Sequence, residues 1–281
     1  ITASVFLLQP VCYYYFVKTN YDIDKNVSTD SNLIAQRWDG FGINLAAFIH
    51  NNTDVIILTL FTDLKMVSVY SVYSLVTSGL RQIIKAFSAG IVPSLGNIYA
   101  KGNSDELKKA FDFYEYIVLL LTFFLFSVGG ILITPFVLLY TTNIGDVNYN
   151  QPIFGILLII AEAVFCIREP YLNLTFSANK FKEVKKSAYL EAILNIGISL
   201  ILVFKLGIIG VAIGTLISMI YRTIYQVCFL KKYILYRKVN VFIKRIGVFM
   251  IGTFLGEIIC VSLSQIFNLS IISWLIEAIL Y

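Results

Sequence analysis

The sequence predicts an all-α protein, a polytopic bundle of transmembrane helices. Of its 281 residues, 58% are hydrophobic and only 14% are charged, whereas soluble domains carry about 25% charged residues. The mean hydropathy is +0.80. The apolar residues also fall into runs of the length that a bilayer requires, about 20 residues for each span. Eight or nine spans are therefore expected.

The apolar runs place the predicted helices in chain order. Residues 1–17 are expected to be the end of a truncated preceding helix. Six helices are then predicted at 41–61, at 66–86 with an extension to 100, and at 115–140, 152–172, 188–204 and 206–228, together a six-helix lobe over 41–228. Additional spans are predicted within 244–281, at 244–266 and from about 269, the last of them truncated.

Two helix boundaries have a local chemical signal. Ser104 is expected to cap a separate amphipathic helix that reaches Tyr116 and lies on the inner membrane surface, because Ser is a favoured N-cap residue. Pro152 suits the first turn of its helix. Pro170 is expected to bend or end the same helix, since proline lacks the backbone N–H that a helix interior uses.

Lysine and arginine are concentrated in alternate loops. The basic residues of two such loops are Lys180, Lys182, Lys185 and Lys186, and Lys231, Lys232, Arg237, Lys238, Lys244 and Arg245. The loops after 115–140 and after 244–266 contain none. Because cytoplasmic loops are enriched in Lys and Arg, the basic loops are predicted to be cytoplasmic in a multi-pass plasma-membrane protein. The net charge of +5 is thus explained by topology, and nucleic acid is not an expected partner.

No enzyme motif occurs. The sequence has no P-loop, no nucleophile elbow and no metal-ligand cluster, and its single histidine argues against most membrane metalloproteases. Its four cysteines lie in apolar segments without metal-binding spacing and are interpreted as core or lipid-facing residues. We expect no catalytic residue, cofactor or metal.

The helix over 41–61 has one polar face. At 100° per residue, His50, Asn51 and Asp54 fall within a single arc. Ionisable groups at membrane depth usually face a bundle interior or a wet cavity. His50 one turn from Asp54 suggests a proton relay or coupling-ion site, although a lone histidine can also be a hydrogen-bonded packing residue.

The helix over 66–86 has a narrower polar stripe. Ser74, Ser78, Arg81 and Lys85 share it, so two cations end the stripe near the inner side. The serines could instead mark close helix packing, and Lys85 could simply extend to the membrane interface. Elsewhere, Glu162 and Arg168 lie within 152–172, and Glu191 and Arg222 are interpreted as an interhelical pair.

Several segments together resemble the bacterial polysaccharide repeat-unit flippases of the multidrug/oligosaccharidyl-lipid/polysaccharide exporter superfamily. Residues 36–42 (QRWDGFG) and 51–58 (NNTDVIIL) resemble the seventh helix of these proteins. Residues 69–73 (VYSVY), 93–95 (PSL) and 99–103 (YAKGN) resemble the eighth helix and the loop after it. The similarity covers essentially the whole chain but includes no invariant catalytic signature.

The resemblance implies a fold of two six-helix lobes, of which this chain would be the second lobe plus extra C-terminal helices. It implies alternating-access transport of a polyprenyl-pyrophosphate-linked oligosaccharide in cell-surface polysaccharide biosynthesis, in contact with membrane lipids and other polysaccharide-assembly membrane proteins. The substrate-binding residues would be Arg81 and Lys85 at the pyrophosphate, supplemented by Arg37 and Arg168, with Ser74, Ser78 and Asn51 at the sugars. A coupling ion would use Asp54, His50 or Glu162.

Three alternatives stay open. A cation-coupled multidrug or metabolite antiporter of the same superfamily would have an acidic cavity, against which Arg81 and Lys85 argue. A membrane glycosyltransferase or polymerase would carry a large outer loop, whereas the longest outer loop expected here is residues 140–151. The last alternative is a purely structural membrane subunit.

Overall fold

The computed structural model describes residues 2–21, 36–145 and 147–264, and within these ranges its secondary structure is helical, without strands. This confirms the all-α prediction. The helices are α1 (Thr2–Asn20), α2 (Arg37–Phe61), α3 (Leu64–Ala100), α4 (Ser104–Tyr140), α5 (Pro152–Ser177), α6 (Phe181–Leu206), α7 (Ile208–Tyr233) and α8 (Val239–Ser264). The helix predicted from about 269 lies outside the described residues.

The chain divides into two units. The first, Ile1–Arg37, contains α1, a helix of 19 residues with Pro10 inside it. The second, Trp38–Tyr281, contains nearly all of α2 and the helices that follow. The predicted division into a lobe at 41–228 and additional spans at 244–281 stays a prediction.

Three described helices are long and apolar enough to cross a membrane, by length and composition. They are α4, α6 and α7. Helices α2 and α5, with 25 and 26 residues, are about as long as α6 and α7, but they carry ionisable side chains along their length. The coarse expectation of membrane association is therefore supported, and the count of eight or nine spans stays a prediction.

Two helices continue beyond their predicted ends. Helix α4 runs unbroken from Ser104 to Tyr140, so the prediction of a separate surface helix is wrong. Its N-cap is Asn103, whose side chain accepts a hydrogen bond from the Glu106 N–H at 3.2 Å. Helix α5 continues through Pro170 to Ser177. Because α5 packs against α3, α4 and α7, these contacts offset the hydrogen bond that Pro170 cannot donate.

Helices α6 and α7 pack closely against each other. Gly207 connects them with φ +56°, a conformation that favours glycine. A Cβ atom on Gly210 would lie 2.5 Å from the Leu202 carbonyl oxygen, and one on Gly214 would lie 2.8 Å from the Ser199 nitrogen. Small residues allow two helix backbones to approach in this way. The α6–α7 spacing is therefore set by glycines.

We expect Gly210→Ala to lower the midpoint temperature of unfolding in detergent micelles. The added methyl overlaps a backbone carbonyl, an overpacking that costs about 1–3 kcal/mol. Gly197→Ala on α6 is the matched control, because its Cβ meets nothing within 4 Å. That variant should gain the roughly 0.5–1 kcal/mol by which alanine is preferred to glycine in helices. Equal shifts in the two variants would contradict the close approach.

An ion cluster ties α8 to the other helices. Glu115 on α4 is fully buried and accepts hydrogen bonds from Arg237 Nη1 at 2.7 Å and Nη2 at 2.8 Å. It also contacts Arg245 on α8 and the Tyr171 hydroxyl on α5. Asp112, one turn before Glu115, pairs with both arginines. The α7–α8 connection is thereby fixed to α4 and α5.

Candidate functional site

A polar cavity of about 170 Å³ lies among α2, α3, α5 and α7. Its lining is His50, Asn51, Asp54, Val55, Tyr70, Ser74, Ser78, Arg81, Leu158, Glu162, Thr215 and Met219. The structure thus brings together most of the predicted site residues: His50, Asn51, Asp54, Ser74, Ser78, Arg81 and Glu162. Helical periodicity explains this convergence, since residues three, four or seven apart share a helix face.

Arg81 and Glu162 form an ion pair across the cavity. Arg81 Nη1 on α3 donates to Glu162 Oε1 at 3.1 Å and to Oε2 at 3.2 Å on α5. The two side chains are 20% and 11% exposed, so water still reaches both. Arg81 Nε has no hydrogen-bond partner among the residues described. The predicted anion-binding residue and one predicted coupling acid are therefore direct partners, and Arg81 retains unused donors.

Asp54 is a buried carboxylate held by hydroxyl groups. It is 3% exposed and accepts hydrogen bonds from Thr215 Oγ1 at 2.9 Å and from the Tyr70 hydroxyl at 3.2 Å. In the described part of the chain, no Lys or Arg lies within 4.0 Å of it. A buried charge without a partner is costly. The site of Asp54 therefore favours binding of a proton or a small cation.

His50 and Asp54 are linked through other helices rather than directly. Asn195 Nδ2 on α6 lies 3.1 Å from His50 Nδ1 and 3.3 Å from Thr215 Oγ1 on α7. If Asn195 donates to both, Nδ1 is the acceptor and Nε2 carries the ring proton. His50 is 4% exposed, and its Nε2 has no partner among the described residues. Nε2 is therefore a buried donor whose hydrogen bond is not satisfied by the described residues.

Arg168, a predicted supplementary substrate residue, lies outside the cavity lining. It contacts Glu191 with Nη1 2.5 Å from Oε1, and Arg222 contacts the other oxygen of the same carboxylate. Arg168, Glu191 and Arg222 are 1%, 1% and 3% exposed. This triad joins α5, α6 and α7, in agreement with the predicted pairing of Glu191 with Arg222. The geometry gives Arg168 a structural partner, not an open position.

Lys85 and Arg37 also do not line the cavity. Lys85 Nζ lies 5.2 Å from the Phe165 ring centroid, and the guanidinium groups of Arg81 and Arg168 lie 5.3 and 4.9 Å from the same ring. Phe165 is thus a shared cation–π partner beside the cavity. Arg37 is exposed as the first residue of α2. Arg81 is the predicted cation that lines the cavity, and the substrate roles of Lys85, Arg37 and Arg168 stay predictions.

Tyr70, Thr215 and Asn195 were not predicted as site residues. Asn195 shares a face of α6 with Glu191, the only signal for it in the sequence. Tyr70 and Thr215 lie in apolar surroundings and have no signal of their own. Their role depends on the register of one helix against another, which one sequence does not reveal.

The cavity can bind and exchange ligands without covalent chemistry. It offers one ion pair, one carboxylate without a cation, and several hydroxyl and amide groups. Among the described residues, no group of three or more His, Cys, Asp or Glu could hold a metal ion. A search of protein families, of curated proteins and of solved structures finds no match to this chain.

Proposed function

We propose that this protein is a multi-pass plasma-membrane transporter that moves a polyprenyl-pyrophosphate-linked oligosaccharide outward by alternating access, with its basic loops in the cytoplasm. One observation carries the proposal: a polar cavity containing an ion pair and a cation-free carboxylate lies among long helices. Thr215 and Met219, which line it, lie within α7, one of the membrane-competent helices. Such groups at membrane depth mark substrate and ion pathways.

Arg81 is the residue best placed to hold the pyrophosphate. Its bond to Glu162 uses Nη1 alone, so Nη2 can donate to a phosphate oxygen. The incoming anion would compete with Glu162 for the guanidinium. Ser74 and Ser78, whose hydroxyls donate to backbone carbonyls, would then accept hydrogen bonds from sugar hydroxyls. The cavity would thereby have two electrostatic states. In one, Arg81 binds the substrate anion, and in the other, Arg81 is paired with Glu162.

Asp54 is the preferred site for the coupling ion. It has hydroxyl partners and no described cation, whereas Glu162 is already paired with Arg81. A proton or small cation bound there would remove the cost of a buried carboxylate. His50 would sense the same event through Asn195 and Thr215. The ion would thereby couple α2 to α6 and α7.

The proposal is tested by expressing the intact gene in a strain that lacks its own repeat-unit flippase, with that strain's flippase gene as the positive control. We expect Arg81→Ala to reduce surface polysaccharide by roughly tenfold, because a hydrogen bond to a charged group contributes about 1.5–3 kcal/mol. The control is Lys186→Ala, which removes an exposed cation from α6. Failure of the intact gene to complement would contradict the flippase proposal. Normal transport by Arg81→Ala at equal expression would contradict the anion site.

A cation-coupled antiporter is the second candidate, and one observation favours it. Because Glu162 neutralises Arg81, Asp54 leaves the cavity lining with an excess of negative charge. An acidic cavity suits a small organic cation. In proteoliposomes, gradient-driven efflux of a fluorescent organic cation without movement of a lipid-linked sugar would favour the antiporter. The opposite pattern would favour the flippase.

A further inference from the structure

An apolar groove of about 440 Å³ lies between α3 and α4. Every residue that lines it is apolar or glycine, with Leu75, Val76, Gly79 and Leu80 on the α3 side. Its size falls in the range of small-molecule pockets, about 300–1,000 Å³. The α4 wall belongs to one of the three described helices that are long and apolar enough to cross a membrane. The groove therefore suits a hydrocarbon chain.

The groove and the polar cavity lie on the two flanks of one exposed face of α3. At about 100° per residue, Ser74, Ser78 and Arg81 lie on one flank, and Val76 and Leu80 lie on the other. Between them, Leu75 is 58% exposed. One amphiphilic molecule could therefore lie across α3, with its polar end in the cavity and its chain in the groove.

Gly79 leaves the surface of α3 open between the groove and the polar cavity. A Cβ atom built on Gly79 would meet nothing within 4 Å, so the helix surface is open at this point. Its neighbour Ser78, which lines the cavity, is also small. The two residues belong to different pockets although they are consecutive in sequence. Ser78 and Gly79 together form a low point on the surface of α3, here called the Gly79 saddle. A lipid chain can pass across it without displacing a side chain.

We propose that the α3–α4 groove binds the isoprenoid chain of a polyprenyl phosphate lipid whose phosphate reaches Arg81 across the Gly79 saddle. This inference rests on the proposed function and adds to it the position of the lipid chain. The occupant is supported by the cationic guanidinium of Arg81 at the polar side of the saddle, since its Nη2 makes no hydrogen bond among the described residues and can bind a phosphate oxygen in place of Glu162. The open position at Gly79 also accepts the methyl branches of an isoprenoid chain.

The test uses the protein from the intact gene in phosphatidylglycerol nanodiscs, with a photoreactive polyprenyl phosphate as the probe. We expect cross-links within residues 75–80 and 124–136, displaced by unlabelled polyprenyl phosphate. Gly79→Phe should fill the groove and reduce labelling by roughly tenfold. Gly90→Phe is the matched control, because Gly90 is on the same helix and its Cβ also meets nothing within 4 Å. That variant should label as the unchanged protein does.

Each outcome separates this inference from the proposed function. Equal displacement by added phosphatidylglycerol, or unchanged labelling of Gly79→Phe, would overturn the groove assignment. Labelling that follows the expected pattern in a protein that fails complementation would support the lipid site and reject the flippase. Normal complementation by the Gly79→Phe variant would support the flippase proposal and contradict the assignment of the groove.

Discussion

Replacing Glu191 with glutamine is expected to lower the free energy of unfolding by about 3–5 kcal/mol. Glu191 is 1% exposed and joins the guanidinium groups of Arg168 and Arg222. Without the carboxylate, two buried positive charges would face each other with no compensating anion. The Nε atoms of both arginines already have no partner among the described residues, so neither side chain has a second site to turn to.

The measurement is the unfolding transition in detergent micelles, followed by circular dichroism. Glu183→Gln on the same helix is the matched control, because Glu183 is 40% exposed in its pair with Lys180 and should contribute little. A triple variant with Arg168→Met, Glu191→Leu and Arg222→Met should recover much of the stability, since apolar side chains of similar volume can replace a buried ion network. Equal stability of the two glutamine variants would show that the triad is solvated.

Replacing Asp54 with asparagine is expected to abolish gradient-driven transport while the fold and substrate binding persist. Asparagine keeps the size of the side chain and can still bond Tyr70 and Thr215, but it carries no charge for a proton or cation. Transport along a substrate gradient should continue, because only the coupling is removed. The measurement is uptake into proteoliposomes with and without an imposed proton or sodium gradient.

Asp63→Asn is the control for this substitution. Asp63 is an exposed N-cap of α3, and asparagine caps helices as well as aspartate does. It should therefore transport as the unchanged protein does. If Asp54→Asn still responds to both gradients, Asp54 is not the coupling site. If it loses binding as well, the carboxylate has a structural role in the cavity.

Periodicity explains which features the sequence could predict. The polar faces of α2 and α3 follow from residue spacing within one helix, and the structure directs His50, Asp54, Ser78 and Arg81 to one cavity as that spacing requires. The extension of the third predicted helix to Ala100 is confirmed for the same reason. Features that depend on a single helix are therefore accessible from sequence.

The ion pair between Arg81 and Glu162 was not predictable from the sequence. Arg81 and Glu162 are 81 positions apart, and nothing within either helix shows that they meet. Arg81 and Arg168 each pair with a different carboxylate, and their joint action on one anion stays a prediction. Helix α5 ends at Ser177, beyond the predicted end at 172, because packing from neighbouring helices supports the turns after Pro170.

The buried carboxylate of Glu115 has a mechanical consequence. Arg237 in the α7–α8 connection and Arg245 on α8 both bind the Glu115 carboxylate on α4, so this connection is held in place against α4. A motion of the helices that opens and closes the cavity would have to move α4, α5 and α8 together as one rigid body. In the proposed transport cycle, hinge motion would then have to occur at connections other than the one between α7 and α8.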